Sequence, residues 1–184
     1  MVARTQDQKI SLLQNAKGNF LECDFNPSIL ISVSEQTLYL FQENKLQNSY
    51  LISTSKYGTG EKEGSNQTPL GAHKIAELIG EDCPVRTIFK SRKSQNQLAE
   101  IITTPHASGK ELITSRIIWL EGLEPNINKG NGVDSYQRYI YIHGTHEEGL
   151  IGVPSSIGCI RMCNQDVIDL FHCIQKNTFV LILD

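Results

Sequence analysis

The chain has 184 residues, 39% of them hydrophobic and 20% charged, with a net charge of -3. That length suits one domain with a full core, and the composition is ordinary for a globular protein. The charge offers no electrostatic case for nucleic acid or an anionic membrane, and no apolar run approaches the roughly 20 residues of a membrane span.

Met1 to Asn15 is polar and lacks the apolar h-region of a signal peptide. Residues 5–16 are read as a short helix with Ile10, Leu12 and Leu13 on one side, and Asn26-Pro27 then punctuates the chain. From Ile29 onward the period is mostly two, that of strands. Ile29–Val33 and Thr37–Gln42 flank Ser34-Glu35-Gln36 as a hairpin, and Lys45–Ser53 follows as a third meander strand. Residues 57–67 form a Gly/Ser/Lys/Glu-rich loop ending in the rigid Thr68-Pro69-Leu70-Gly71 turn, which feeds a strand over His73–Ile79. A further strand is expected over Val85–Phe89. Residues 90–110 read as a polar, irregular loop of a length that is often functional. Its Lys90-Ser91-Arg92-Lys93 run, the densest basic cluster in the chain, reads as solvated. Ile113–Leu120 is strand-like, Glu121–Asp134 is loop with closely spaced glycine and asparagine, and Tyr136–Ile142 is a strand delivering His143 at its end. One helix is well marked. Asn164 serves as N-cap, Asp166 lies in the first turn, and Val167, Ile168, Leu170, Phe171 and Ile174 make an apolar face ending near Lys176-Asn177. Thr178–Leu183 is a final strand. The fold expected is mainly β with a few helices.

Five cysteines, an odd number, leave at least one unpaired thiol. Their spacing is not a disulfide framework, and a chain this long does not need one. Cys23 and Cys83 read as small apolar residues. Cys159-x-x-x-Cys163 with His172-Cys173 does not match common zinc spacings, so no metal is expected. Cys163 has two readings, a buried residue at the helix entry or a resolving thiol for oxidised Cys159.

The chemistry concentrates between Tyr141 and Met162. Cys159 lies in a tight turn, Ser155-Ser156-Ile157-Gly158-Cys159-Ile160-Arg161-Met162, and His143 ends an apolar run in His143-Gly144-Thr145. A thiol near pKa 8.5 is only a few per cent ionised at neutral pH and needs a base; His143 is the candidate. The helix after Cys159 adds partial positive charge favouring thiolate. Backbone N–H groups around Gly158 and Cys159 are candidate oxyanion donors, and Arg161 a candidate for a substrate carboxylate. The pattern points to acyl transfer through a thioester. His146-Glu147-Glu148, between the two halves, reads as a solvated loop by default.

These residues resemble the signature of the YkuD-type L,D-transpeptidases, an HGT-type histidine followed by a Ser-X-Gly-Cys-Ile-Arg-Met turn. Here they are His143-Gly144-Thr145 and Ser156-Ile157-Gly158-Cys159-Ile160-Arg161-Met162, with the upstream Thr-Pro-X-Gly element as Thr68-Pro69-Leu70-Gly71. The resemblance spans residues 28–184 and leaves 1–27 as an N-terminal extension. It implies a YkuD-like β-sandwich of mixed sheets with one helix after the cysteine turn. It further implies that Cys159 is the nucleophile, His143 the base, and the Gly144 carbonyl the group orienting the imidazole, with Ser156, Gly158, Arg161, Thr145 and Tyr141 lining the substrate site. The implied substrate is a peptidoglycan stem tetrapeptide, attacked between its third residue and D-alanine. The acyl-enzyme then passes to the amine of a second stem, giving a 3→3 cross-link, or to a lipoprotein amine. Water as acceptor gives carboxypeptidase or amidase activity, and loss of chemistry leaves a wall-binding module. The implied location is the periplasm or cell envelope, and no cofactor is implied. One departure is visible: many members carry histidine directly before the Gly-Cys pair, where this chain has Ile157.

Overall fold

The computed structural model describes residues 4–184. In chain order it runs α1 (Gln6–Lys17), β1 (Asp24–Ser32), β2 (Thr37–Gln42), β3 (Lys45–Ser53), β4 (Gly71–Ile79), β5 (Thr87–Lys90), β6 (Lys93–Leu98), β7 (Ile113–Gly122), β8 (Tyr141–Gly144), β9 (Ile160–Met162), α2 (Asn164–Cys173) and β10 (Thr178–Leu183). The strands form one sheet in the order β4-β10-β1-β2-β3-β9-β8-β7-β5-β6, and β4 also pairs with β7. That extra pairing closes eight strands on themselves, so two halves of one sheet face each other across a common core. The pairing is mixed: β1–β10 and β8–β9 are parallel, and the other ladders are antiparallel.

Period-two alternation decides which side chains enter that core. Ile29 and Ile31 of β1, Leu38 and Leu40 of β2, Ile118 and Leu120 of β7, Ile160 and Met162 of β9, and Val180 and Ile182 of β10 all point inward. Val167, Leu170 and Phe171 of α2 and Ile174 just beyond it join them, so this helix fills the space between the two halves. A fully buried aliphatic or aromatic side chain contributes about 1.5–3 kcal/mol, which makes this cluster the principal source of stability. The intervening residues Leu30, Phe41, Phe179 and Leu181 face outward and pack under α1 through Leu13. The helix α1 begins with a capping box, in which Thr5 and Gln8 exchange side-chain and backbone hydrogen bonds. Its Lys9 ammonium is buried against Glu35 at 3.0 Å and lies over the Tyr39 ring.

Several boundaries differ from the sequence reading, each for a local reason. Residues 136–139 are turn rather than strand, with Tyr139 at φ 57, and β8 starts only at Tyr141. The segment 90–110 contains β6, a polar edge strand hairpinned to β5 whose side chains are mostly exposed and so carry no apolar alternation. Asn164 is the first residue of α2 rather than its cap; Cys163 stands at the cap position with no side-chain bond. The Glu148 carboxylate receives the Asn164 N–H instead, at 2.8 Å. The helix ends at Cys173, because Ile174 is already extended.

His73 of β4 has no partner visible in the sequence but is fully buried. Its Nδ1 lies 3.0 Å from the Gly71 carbonyl and its Nε2 2.9 Å from the Ser135 hydroxyl. Burial pushes its imidazole down to about 4, against a small upward pull from the Gly71 hydrogen bond. A depressed pKa contributes stability that is present above about 6.5 and is lost as pH falls toward 4. The loss amounts to about 3 kcal/mol. Urea unfolding at pH 6.5 and pH 4.5 measures it. In His73→Gln the stability should change less steeply over that interval, whatever its absolute value, and an unchanged slope would discount His73 as the source.

Candidate active site

Strand register brings the two halves of the motif together. On β8 and β9, which run parallel, Ile142 pairs with Ile160, His143 with Arg161 and Gly144 with Met162. Ile142, Ile160 and Met162 point into the core, so Tyr141, His143 and Arg161 share the opposite face. Cys159, one residue before β9, falls on that face beside Tyr141. The Tyr141 N–H donates to its Sγ at 3.4 Å, and the thiol donates to the Tyr139 carbonyl at 3.4 Å. By register, Cys159 therefore lies diagonal to His143, two positions before its pairing partner Arg161.

The imidazole of His143 is fully buried. Its Nδ1–H donates to the Gly144 carbonyl at 2.7 Å, which leaves Nε2 as the basic nitrogen. Nε2 is buried and has no hydrogen-bond partner. A buried unpaired acceptor costs free energy, and one on the cysteine's face of the sheet is a proton acceptor held ready. Gly144 admits no larger residue: a Cβ there would sit 2.7 Å from the Thr114 carbonyl and 2.9 Å from Asn164 Oδ1. Asn164 is the unforeseen organiser of this corner. Its Oδ1 accepts from the Thr114 and Ser115 hydroxyls, and its Nδ2 donates to the Thr145 carbonyl and the Glu148 carboxylate. Thr145 is buried, its N–H bonded to the Met162 carbonyl and its hydroxyl accepting from Glu147 N–H. It holds the loop after β8 rather than facing an open cleft. The sequence signal for Asn164 was real, an asparagine at a helix start, but the capping role hid its inward contacts.

The cysteine turn is tied by side chains. The Ser156 hydroxyl donates to the Cys159 carbonyl at 2.6 Å and accepts from Gly158 N–H at 3.3 Å. The Gly158 N–H proposed for an oxyanion thus points at Ser156 in this state. Gly158 has φ +130, open to glycine and rarely to other residues. Its carbonyl accepts from the Thr68 hydroxyl at 2.9 Å, and that hydroxyl oxygen in turn accepts from Ser55 N–H at 3.0 Å. The Thr68-Pro69-Leu70-Gly71 element therefore has a physical purpose: its threonine clamps the turn that carries the sulfur.

Burial sets the protonation states. It pushes the Cys159 thiol up to about 12, with Glu111 adding to the effect and the Tyr141 N–H and Arg161 opposing it. It also pushes His143 down, partly offset by the Gly144 hydrogen bond. The resting pair is a thiol and a neutral imidazole. The three residues of β9 and the cap residue Cys163 separate the sulfur from the start of α2 along the chain, and the dipole falls off within the first turn. That same strand separates Cys159 from Cys163. Four extended residues span about 13 Å, beyond disulfide reach, so Cys163 is not a resolving partner.

Arg161 is 3% exposed, and its donors are already engaged. Nε and Nη2 fork onto Glu111, with Nε at 2.8 Å, while Nη1 reaches Glu147 at 2.9 Å and Ser155 Oγ at 3.3 Å. His146-Glu147-Glu148 is thus no solvated loop: His146 and Glu147 are buried and Glu148 caps α2. Burial alone would push the Glu147 carboxyl up, but hydrogen bonds from Ser108 and the charge of Arg161 outweigh it and hold it down. On the other side of Cys159 stands an aromatic wall. Trp119 stacks on Tyr136 at 4.1 Å and meets Tyr141 edge-on. Arg92, from the basic run read as solvated, lies over the Trp119 and Tyr139 rings. Ile157 is 45% exposed at the turn. Among the described residues no three His, Cys, Asp or Glu side chains converge as metal ligands, and no helix is long and apolar enough to cross a membrane.

Comparison with known proteins agrees with this architecture. Over 43 residues the chain is 51% identical to a putative L,D-transpeptidase, YqjB, of Bacillus subtilis strain 168, a match covering 23% of this chain and 24% of that protein. Among solved structures, an L,D-transpeptidase from Mycobacterium tuberculosis H37Rv superposes with a TM-score of 0.54 at 12% identity, over 86% of this chain and 58% of that one. L,D-transpeptidase 3 from Mycobacterium tuberculosis, solved with a faropenem-derived adduct, gives 0.53 at 11% identity over 86% and 61%. At such identities the likeness is one of fold, and this chain spans about three fifths of those structures. The model of the L,D-transpeptidase catalytic domain, YkuD, matches residues 26–182, and the chain belongs to that family.

Proposed function

We propose that residues 28–184 form the catalytic domain of a peptidoglycan L,D-transpeptidase, preceded by an extension (residues 1–27) that docks on the sheet through α1. The observation that carries this reading is the buried, unpartnered Nε2 of His143, whose tautomer is set by the Gly144 carbonyl. In the mechanism, Cys159 Sγ attacks the carbonyl between the third stem residue and D-alanine while its proton passes to His143 Nε2. Transfer in step with attack suits a thiol held near 12 and a neutral base. The tetrahedral intermediate collapses as the imidazolium gives that proton to the D-alanine nitrogen, which leaves as the amine. The thioester is then opened by the side-chain amine of a second stem, giving a 3→3 cross-link, and His143 again takes the proton. Water in place of the amine yields the carboxypeptidase product. Such a substrate places the work in the cell envelope.

Intact-mass spectrometry after exposure to faropenem tests the nucleophile, following the adduct reported in the mycobacterial relative. The parent chain should gain one covalent adduct and Cys159→Ala none; an adduct persisting in Cys159→Ala would refute the assignment. Stem tetrapeptides with the parent chain should then release D-alanine, and dimers versus tripeptides identify the acceptor as amine or water.

A further inference from the structure

Arg161 faces two carboxylates of unlike character. Glu147 is as buried as the guanidinium itself and is also held by the Ser108 N–H and hydroxyl. Together Arg161 and Glu147 make a closed, neutral pair. Glu111 is a surplus negative charge on the same guanidinium, and its side chain is 28% exposed. It forks onto the Nε/Nη2 edge in the bidentate geometry that guanidinium offers any carboxylate. Glu111 ends the stretch 99–112, which lies between β6 and β7 and contains neither helix nor strand.

Its place relative to the reacting pair is specific. The lining of a groove of about 190 Å³ includes Lys56, Lys110, Glu111, Glu147, Ser155, Ile157 and Arg161. Ser155 and Ile157 belong to the cysteine turn, and Arg161 is the register partner of His143. Glu111 is close enough to act on both the Cys159 thiol and the His143 imidazole through its charge. Lys56 and Lys110 supply cationic positions for Glu111 once it leaves Arg161.

We propose that the Nε/Nη2 edge of Arg161 is a carboxylate subsite of this groove and that Glu111 is its tethered occupant, displaced by the free C-terminal carboxylate of an incoming stem peptide. Glu111 thereby acts as a specificity residue. A ligand ending in a carboxylate replaces one bidentate pair with another, while a neutral amidated end cannot compete for the edge and leaves Glu111 in place. Glu111 also lowers the apparent affinity of every anionic ligand, by the fraction of time it leaves the edge free. The identity of the ligand rests on the transpeptidase reading of the preceding section.

Equilibrium binding separates this proposal from that reading, because it is measured in a Cys159→Ala background that cannot be acylated. N-acetyl-D-alanine and its C-terminal amide are titrated by calorimetry into Cys159→Ala and into Cys159→Ala/Glu111→Gln. Removing the competing charge should tighten N-acetyl-D-alanine binding by about tenfold or more and leave the amide within about twofold. Equal affinity of the two proteins for the carboxylate, or an equal gain for the amide, overturns the proposal. Should the glutamine variant fail to fold, Glu111→Asp keeps the charge but shortens the arm by a methylene, and it must shift affinity in the same direction. Faropenem acylation of the parent chain is untouched by either result.

Discussion

Replacing His143 with alanine should slow acylation of Cys159 by roughly 10²–10⁴-fold, the usual contribution of a positioned general base. The expectation follows from the protonation states. Burial pushes the thiol well above its ordinary value, so the expected route for its proton at neutral pH is His143 Nε2. The pH profile supplies the sharper readout. His143 is pushed below its ordinary value, so it is already a neutral base at pH 6.5, and the parent rate should rise with pH only below that point and be flat across neutrality. In His143→Ala the base is gone, and the rate should instead climb with hydroxide through pH 8 and 9. Stopped-flow acylation by faropenem between pH 5 and 9 distinguishes the two shapes. A variant with the parent's flat profile and an undiminished rate would remove His143 from the mechanism.

Arg161→Met should cost about 3–5 kcal/mol of unfolding free energy, the range for breaking a buried ion pair on one side. The removed guanidinium leaves the Glu147 carboxylate, 3% exposed, without its cation. The residual Ser108 hydrogen bonds cannot neutralise a charge in that surrounding. Urea unfolding at pH 7 gives the number, and a double-mutant cycle gives the mechanism. Arg161→Met/Glu147→Gln should be more stable than Arg161→Met alone, because the second change removes the stranded charge. If the double variant is less stable by the sum of both single losses, the pair is not coupled and the buried ion-pair account fails.

Legibility of the fold tracked the burial of each strand on one face. Lys45–Ser53 and Thr178–Leu183 came out to the residue. β10 is buried along nearly its whole length and packs on both faces, so it shows as an unbroken apolar run. β6 was missed because an edge strand with exposed side chains has no hydrophobic period to read. β9 was missed for another reason: three residues are too few for any period, and the strand exists only because β3 and β8 lie on either side of it. Tyr136–Tyr139 misled because aromatic residues favour strands, whereas here their rings pack on Trp119 from a turn.

The residues of the site divide along the same line. Cys159, His143 and their neighbouring glycines stood out in the sequence because the proposed thiol chemistry restricts residue type: a nucleophile, a base, and turns without a Cβ. Those demands are local, and a single chain displays them in order. Asn164, Thr68, Glu111 and Arg92 were not, since each acts on a partner between 19 and 90 positions away through contacts that no spacing reveals. Charge balance belongs to the second group as well. A sequence counts acids and bases but cannot say which are dry, and it is dehydration that holds the thiol protonated, the imidazole neutral and Arg161 clamped between two carboxylates. The candidates for the reacting groups were thus written in the order of residues, while their ionisation and geometry awaited the closing of β4 on β7, which set the register and expelled the water.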